Sequence, residues 1–560
     1  MVQNWKELVA DKRQRQQASI PKNWIVSVPP DTVLDVTSIP DQCGLLTEKE
    51  LLITGTLDVA VLLQKLASSE WSSVEVTTAF YKRAIVAHQL VNCLTEIFVD
   101  RALARAAELD DYLKQTGKVI GPLHGLPISL KDQICLKGLE TTMGYASWIG
   151  KYADKNAVLA DILYECGAVP FVRTNVPQTL MWPETYNLIF GRTVNPANRT
   201  LTCGGSSGGE GALIHLKGSP LGVGSDIGGS IRIPALFNGL YGLRPSYGRV
   251  PYEGAVNSMY GQDSIPSVLG PLSNSLSGIK IFMQAVIGQK PWLKDPLAVR
   301  KKWDADAYAL AEHGGGKHLC FAIMWNDGII VPHPPIIRAL EKTKQALIAA
   351  GHKVIDWKPI KHLELGNAIS EIWKSGASED YKVTTALTGE PVITSMSPVE
   401  GTGIEDPSIR PEPVGISAYQ LWQIQKARAD LRKAYLDHWQ ETADVTGTGR
   451  PIDAIISPGA PFTAPPHGKN AYTNYTKVFN ALDYTACVFP VTRVDVALDV
   501  KKPAHQFLSE LDEVNYNLYD PEVFQNAPVG LQVVGRTLEE EAVIAMTEIV
   551  DGALKASNSA

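Results

Sequence analysis

The chain has 560 residues, 45% hydrophobic and 20% charged, which is enough length and apolar content to bury a sizeable core and sets aside global disorder. A net charge of -7 and the lack of any long Lys/Arg run exclude a nucleic-acid footprint, which needs a concentrated basic face. Seven cysteines, an odd number scattered without a C-x-x-C pair, fit reduced thiols in a cytoplasmic protein and not a disulfide framework.

The first stretch, MVQNWKELVADKRQRQQ, predicts a helix near Trp5 to Gln17. It holds no continuous apolar region of the kind a signal peptide or anchor needs, and no stable membrane span is expected elsewhere. Residues 1–55 read as an appended helical arm and 56–560 as one further domain, because no Ser/Gly-rich or charged linker divides the remainder. Ser72 and Glu75 form a capping-box signal ahead of Val76, Ala79, Phe80 and Ala84 at helical spacing.

From there, apolar runs of strand length alternate with helical stretches. Strands are predicted at 126–130, 168–172, 219–226, 319–325, 352–357 and 452–458, with helices at 157–167 and 335–351 among them. This alternation predicts an α/β fold with a large mixed, mostly parallel twisted sheet covered by helices on both faces. Thr388 to Gly415, rich in Pro, Gly and acids, predicts a long surface excursion. An amphipathic helix follows it, with Leu421, Ile424, Ala427, Leu431, Ala434 and Tyr435 on one stripe.

Between Asn195 and Pro234, two glycine-flanked serine clusters, GGSSGG and DIGGS, place Ser206 and Ser230 24 positions apart. A flexible linker would not carry Leu213, Ile214, Leu221, Val223 and Ile227 between the clusters. A phosphate cradle wants a cation after its last glycine, where this chain has Glu210. G-x-S-x-G is formally satisfied around Ser206, but a nucleophile elbow follows a buried strand, and NPANRTLTC reads as turn chemistry. The remaining reading makes the clusters two parts of one site. The turn Ile227, Gly228, Gly229 and Ser230 points successive N–H groups inward as a nest for a developing oxyanion, with a serine nucleophile at its end.

A serine hydroxyl needs a base, and none of the eleven histidines stands in a recognisable triad frame. Lys131, closing the apolar run in GPLHGLPISLKD, is the alternative: burial would lower its pKa and make it a neutral amine. An ion pair with Asp132 or another acid at a strand end explains the same residue equally well.

The motifs GPLHGLPISLKD, TTMG, GAVPFVRTNVPQ, GRTVNP, CGGSSGGEGALI, GVGSDIGGSIRIPA and YGLRPSYGRVP occur in that order, and APVGLQVVGRTLEEE closes the series. With them the chain resembles the amidase signature hydrolases over about residues 60–555, the fungal acetamidases and fatty acid amide hydrolase most of all. The resemblance implies that 56–560 is the catalytic domain of a serine-dependent amide hydrolase working through an acyl-enzyme. It assigns Ser230 as nucleophile, Ser206 after a cis peptide as proton relay, and Lys131 as base. It also assigns Ile227, Gly228, Gly229 and Ser230 as oxyanion donors, Ser207 as a supporting serine, and Asp226 with Arg232 as the brace of the turn. Ser225 departs from the threonine that many members carry, while keeping a hydroxyl. Tyr145, Met181 and Trp182, with the loop at Trp148 and the Thr388–Tyr419 excursion, are the expected substrate-pocket residues. No metal or organic cofactor is implied, and the histidines show no H-E-x-x-H spacing.

The expected partners are a small-molecule amide and a second copy of the chain as a homodimer, without nucleic acid; the role of the arm is left open. Carbamates, aryl amides or esters would suit the same chemistry. A subunit that delivers ammonia to an aminoacyl-tRNA is the alternative from another class, for which the chain offers no basic surface.

Overall fold

The apolar run Leu126–Leu130 becomes the strand Pro127–Lys131, whose residues are all buried. Cover on both faces is what a central strand requires, and it explains a sequence that runs apolar instead of alternating. This strand is one of eleven in the large sheet of the computed structural model, which describes residues 4–397 and 415–559. In chain order the strands are β1 (Leu94–Ile97), β2 (Pro127–Lys131), β3 (Val169–Thr174), β4 (Leu221–Asp226), β5 (Tyr241–Arg244), β6 (Val268–Ser273), β7 (Cys320–Ile323), β8 (Lys353–Asp356), β9 (Ala454–Ser457), β10 (Ala486–Arg493) and β11 (Pro528–Val534). Across the sheet they lie in the order β1-β3-β2-β4-β6-β5-β10-β11-β9-β7-β8.

The α/β class and the mixed sheet are as expected, and each of the six strands read from the sequence forms. The expected parallel majority is corrected. Four neighbouring pairs are parallel, β2 with β3, β2 with β4, β7 with β9 and β7 with β8. The other six are antiparallel. A parallel neighbour needs a long crossover, usually a helix. Residues 245–267, between β5 and β6, contain no helix, and β6 returns antiparallel to both β4 and β5.

Helix starts follow the local chemistry. Ser72 Oγ accepts from Glu75 N at 3.1 Å while the Glu75 carboxylate accepts from Ser72 N at 3.0 Å, opening the helix Ser73–Val91. Such a cap contributes about 1 kcal/mol. The N-terminal helix covers Trp5–Ala18, and Ile20, Trp24, Val36, Leu46 and Ile53 beyond it join the main hydrophobic core. Lys12 is buried and pairs with Glu96 and Glu140, pinning the arm to the body.

Of the excursion expected at Thr388–Gly415, residues 398–414 lie outside the described residues. The helix after it spans Ala418–Glu441. Tyr435 is buried and Leu421, Ile424 and Leu431 are partly buried against a second core cluster, whereas Ala427, expected on the same stripe, is exposed. The stretch NPANRTLTC, read as turn chemistry, folds as a small hairpin in which Val194–Asn195 pairs with Asn198–Thr202.

Candidate active site

Strands β2 and β4 run parallel with Leu130 beside Val223, so their carboxyl ends open side by side. That is where open α/β sheets carry their sites. Alternation along β2 puts Ser129 and Lys131 on one face. On that face Ser129 Oγ donates to Glu210 Oε2 at 2.5 Å, and Glu210 belongs to the helix Gly208–His215. The first serine cluster is the entry to that helix. The second is the turn between β4 and the helix Arg232–Phe237.

The structure brings both clusters together. Ser207 N donates to the carbonyl oxygen of Ser230 at 3.2 Å, and Ser207 Oγ accepts from Ser225 N at 3.2 Å. The Gly205–Ser206 peptide is cis. Gly205 can carry no side chain, because a Cβ there would lie 2.5 Å from the Glu184 carbonyl oxygen. Lys131 Nζ donates to Ser206 Oγ at 2.7 Å and to Ser225 Oγ at 2.8 Å, and Ser225 Oγ in turn donates to Gln133 Oε1. Ser206 is 1% exposed and Ser230 8% exposed, so both are buried and the second serine is the more accessible of the two. Among the described residues, no hydrogen bond links Ser206 Oγ to Ser230 Oγ.

Lys131 is fully buried and makes no ion pair among the described residues. Asp132, its suggested partner, faces elsewhere: its carboxylate accepts from Thr95 Oγ1 at 2.7 Å, Thr142 N at 3.0 Å and Met143 N at 2.9 Å. Burial therefore dominates and pulls the Lys131 pKa down to about 7, against the opposing pull of Asp226 and Glu210. Burial likewise pushes the Glu210 carboxyl up to about 8, although Ser129 and Thr174 donate hydrogen bonds to it.

Asp226 and Arg232 are both fully buried and paired by two hydrogen bonds of 3.0 Å. Burial alone would raise Asp226, but the Arg232 guanidinium outweighs it and holds the carboxylate at about 2. The same carboxylate accepts from Gly229 N at 2.8 Å and Ile231 N at 3.2 Å, so the ion pair fixes the turn directly. Thr476 Oγ1 donates to the Gly228 carbonyl at 2.7 Å from the helix Asn474–Leu482, and Asn480 on that helix donates to Asp226 at 2.8 Å. Gly229 has φ +133°, and a Cβ there would lie 2.3 Å from Thr476 Oγ1, so only glycine fits. Of the four expected oxyanion donors, Gly229 N–H is thus engaged by Asp226, whereas those of Ile227, Gly228 and Ser230 have no acceptor among the described residues.

Of the expected pocket residues, Trp182 borders this centre through its backbone: its carbonyl oxygen would lie 2.7 Å from a Cβ on Gly205. Tyr145 is buried, with its hydroxyl 3.1 Å from Ser258 Oγ and its ring 6.2 Å from that of Trp148. Met181 is half-buried, and Trp182 packs on Ile393 and Met396. The segment bearing those two residues is anchored by Glu390, which accepts from Ala146 N at 3.0 Å and Ser147 N at 2.9 Å. A cleft of ≈ 470 Å³ opens between Met259–Ser264, Trp373 and Leu421. Sequence reasoning missed Gln133, Thr476, Asn480 and Trp373. The one signal was the spacing of Thr476 and Asn480, which puts both on one helix face.

The family model described as Amidase matches residues 75–544. Acetamidases of Emericella nidulans and Aspergillus oryzae are 44% and 43% identical to this chain, each alignment covering 98% of both sequences. A solved structure of a fatty acid amide hydrolase superposes with a TM-score of 0.89 at 33% identity, covering 98% of this chain and 95% of that one. A bacterial aryl acylamidase shares the fold, with a TM-score of 0.66 at 20% identity over 89% of this chain and 96% of its own. With the ordered motifs, the joined serine clusters and these matches, the chain belongs to the amidase signature family.

Proposed function

We propose that the chain hydrolyses carboxylic acid amides to the acid and ammonia or amine through an acyl-enzyme on Ser230. The observation that carries this reading is a fully buried lysine with no acid in contact among the described residues, hydrogen-bonded at 2.7 Å to a serine whose cluster is tied to Ser230. An amine whose pKa is lowered to about 7 is available in its neutral form near neutral pH and can act as a base.

In this mechanism Lys131 Nζ takes the proton of Ser206 Oγ as Ser206 takes that of Ser230, whose oxygen attacks the amide carbonyl carbon. The tetrahedral oxygen gains its negative charge beside the N–H groups of Ile227, Gly228 and Ser230, each such donor contributing roughly 3 kcal/mol to the transition state. Gly229 N–H, held by Asp226, keeps the turn in shape. Ser206 then returns a proton to the nitrogen, the C–N bond breaks and the amine leaves. Water, activated along the same path, attacks the ester of Ser230 and releases the acid. Ser207 holds the end of β4 against the first cluster through Ser225.

The names of the fungal relatives favour short acyl amides as substrates, taken from bulk water in the cytoplasm. No described helix is long and apolar enough to cross a membrane. In the same reading, residues 56–560 form the catalytic domain, 1–55 an arm fastened to it, and two copies pair as a homodimer. The test is ammonia release from acetamide by the purified chain alone. Release that disappears in Ser230→Ala supports the reading; release that needs an added partner protein refutes it in favour of an ammonia-delivering subunit.

A further inference from the structure

Lys477 is a half-buried lysine that the mechanism above does not use. It lies next to Thr476, the residue whose hydroxyl holds the Gly228 carbonyl. Its Cβ is 3.8 Å from where a Cβ on Gly228 would stand, so it flanks the oxyanion turn. Its ammonium donates to Ser370 Oγ at 3.1 Å and has no carboxylate partner among the described residues. Ser370 Oγ is itself pinned, donating to the Gly366 carbonyl at 2.9 Å. Two of the three ammonium donors are therefore unspent. Burial, with help from the like charge of Lys374, pulls Lys477 down to about 8, which leaves it mostly cationic at neutral pH.

A second donor stands beside it. Trp373, one turn beyond Ser370 on the helix His362–Lys374, puts Cη2 2.9 Å and Cζ2 3.6 Å from the same Gly228 position. The indole Nε1 lies along that edge of the ring, is buried, and has no hydrogen-bond partner among the described residues. Trp373 also walls the ≈ 470 Å³ cleft. A cation without a carboxylate and an N–H without an acceptor among the described residues thus both flank Gly228, beside the cleft that Trp373 walls, and buried donors are ordinarily satisfied. The like charge acting on Lys477 from the neighbouring helix is that of Lys374, itself paired with Glu371 at 3.3 Å; in the cleft wall, the Asp380 carboxylate accepts from Met259 N at 3.0 Å.

We propose that Lys477 and Trp373 bind a carboxylate carried by the acyl half of the substrate, so that the enzyme acts on half-amides of dicarboxylic acids as well as on neutral amides. The group belongs to the acyl half because a primary amide's leaving ammonia carries no substituent. This inference rests on the amide-hydrolase reading and deepens it.

The test compares kcat/KM for succinamic, glutaramic and adipamic acids with that for neutral amides of equal chain length. In Lys477→Met the ratio of the best half-amide to its neutral counterpart should fall at least about tenfold, and Lys477→Arg should recover part of it. A ratio unchanged within about twofold, or an equal loss on both substrates, overturns the proposal. Should Lys477→Met fail to fold, calorimetric binding of adipate and hexanoate to the wild type decides. Adipate binding at least about tenfold tighter supports the site, and equal or weaker binding overturns it. Because that binding is measured without turnover, a wild type that hydrolyses no amide would fail the catalytic reading separately.

Discussion

Lys131 Nζ donates a 2.7 Å hydrogen bond to Ser206 Oγ inside a site where, among the described residues, no carboxylate touches the lysine. The base must be neutral to accept a proton, so with a pKa lowered to about 7 hydrolysis should rise with pH through that value and level off above it. A limb centred near the ordinary lysine range would count against this role.

The same burial has a cost in stability. Lys131 titrates lower in the fold than in the unfolded chain, so the unfolded state binds more protons between about 7 and the ordinary 10.5, and stability rises with pH across that window. Lys131→Met should therefore lose amide turnover yet gain stability near pH 7, on the order of 1–4 kcal/mol, and flatten the rise above it. Denaturant titrations of both proteins at pH 7 and pH 10 measure this directly.

Arg232→Met should strand the Asp226 carboxylate in the core at a cost of about 3–5 kcal/mol, and pairing it with Asp226→Asn should restore much of the stability without the activity. Because Asp226 is held at about 2, its contribution is present above the ordinary 3.8 and lost as pH falls from there through about 2. That contribution is about 2 kcal/mol. Acid unfolding of Asp226→Asn should lack this component.

At Gly229, alanine would meet Thr476 Oγ1 at 2.3 Å and would have to hold φ at +133°. The expected outcome is a loss of kcat of roughly 100-fold or more, with KM less affected, because the turn that receives the oxyanion moves. An alanine variant with wild-type kcat would show that the turn's shape does not matter to the reaction.

Removing the Glu390 carboxylate leaves the N–H groups of Ala146 and Ser147 unsatisfied, at about 1–3 kcal/mol. Glu390→Ala should raise KM more than it lowers kcat and should speed proteolysis within 388–397, because Trp182 loses the segment that carries Ile393 and Met396. Limited digestion followed by mass spectrometry reads the second effect.

How much of this was legible in the sequence differs by element. Fully buried strands such as β2 and β3 announced themselves as apolar runs. β6 and β10 did not, because Pro271 and Pro490 argue against central strands. In the structure Pro490 falls at a register shift, and Pro271 lies just before the two residues of β6 that pair with β5. The serine clusters could be joined on paper because glycine-rich turns at helix starts have few uses. Whether Lys131 paired with Asp132 could not be read, because it depends on Thr95, Thr142 and Met143 occupying that carboxylate. The backing of the oxyanion turn by Thr476 and Asn480 comes from a helix about 250 residues downstream, and no local pattern reports such a contact.

Covalent labelling addresses the central claim most directly. A fluorophosphonate should form a single adduct, on Ser230, when the inactivated protein is digested and mapped by mass spectrometry, and Ser230→Ala should take up no label while Lys131→Ala labels far more slowly. An adduct on Ser206 or Ser207 with Ser230 unmodified would contradict the account.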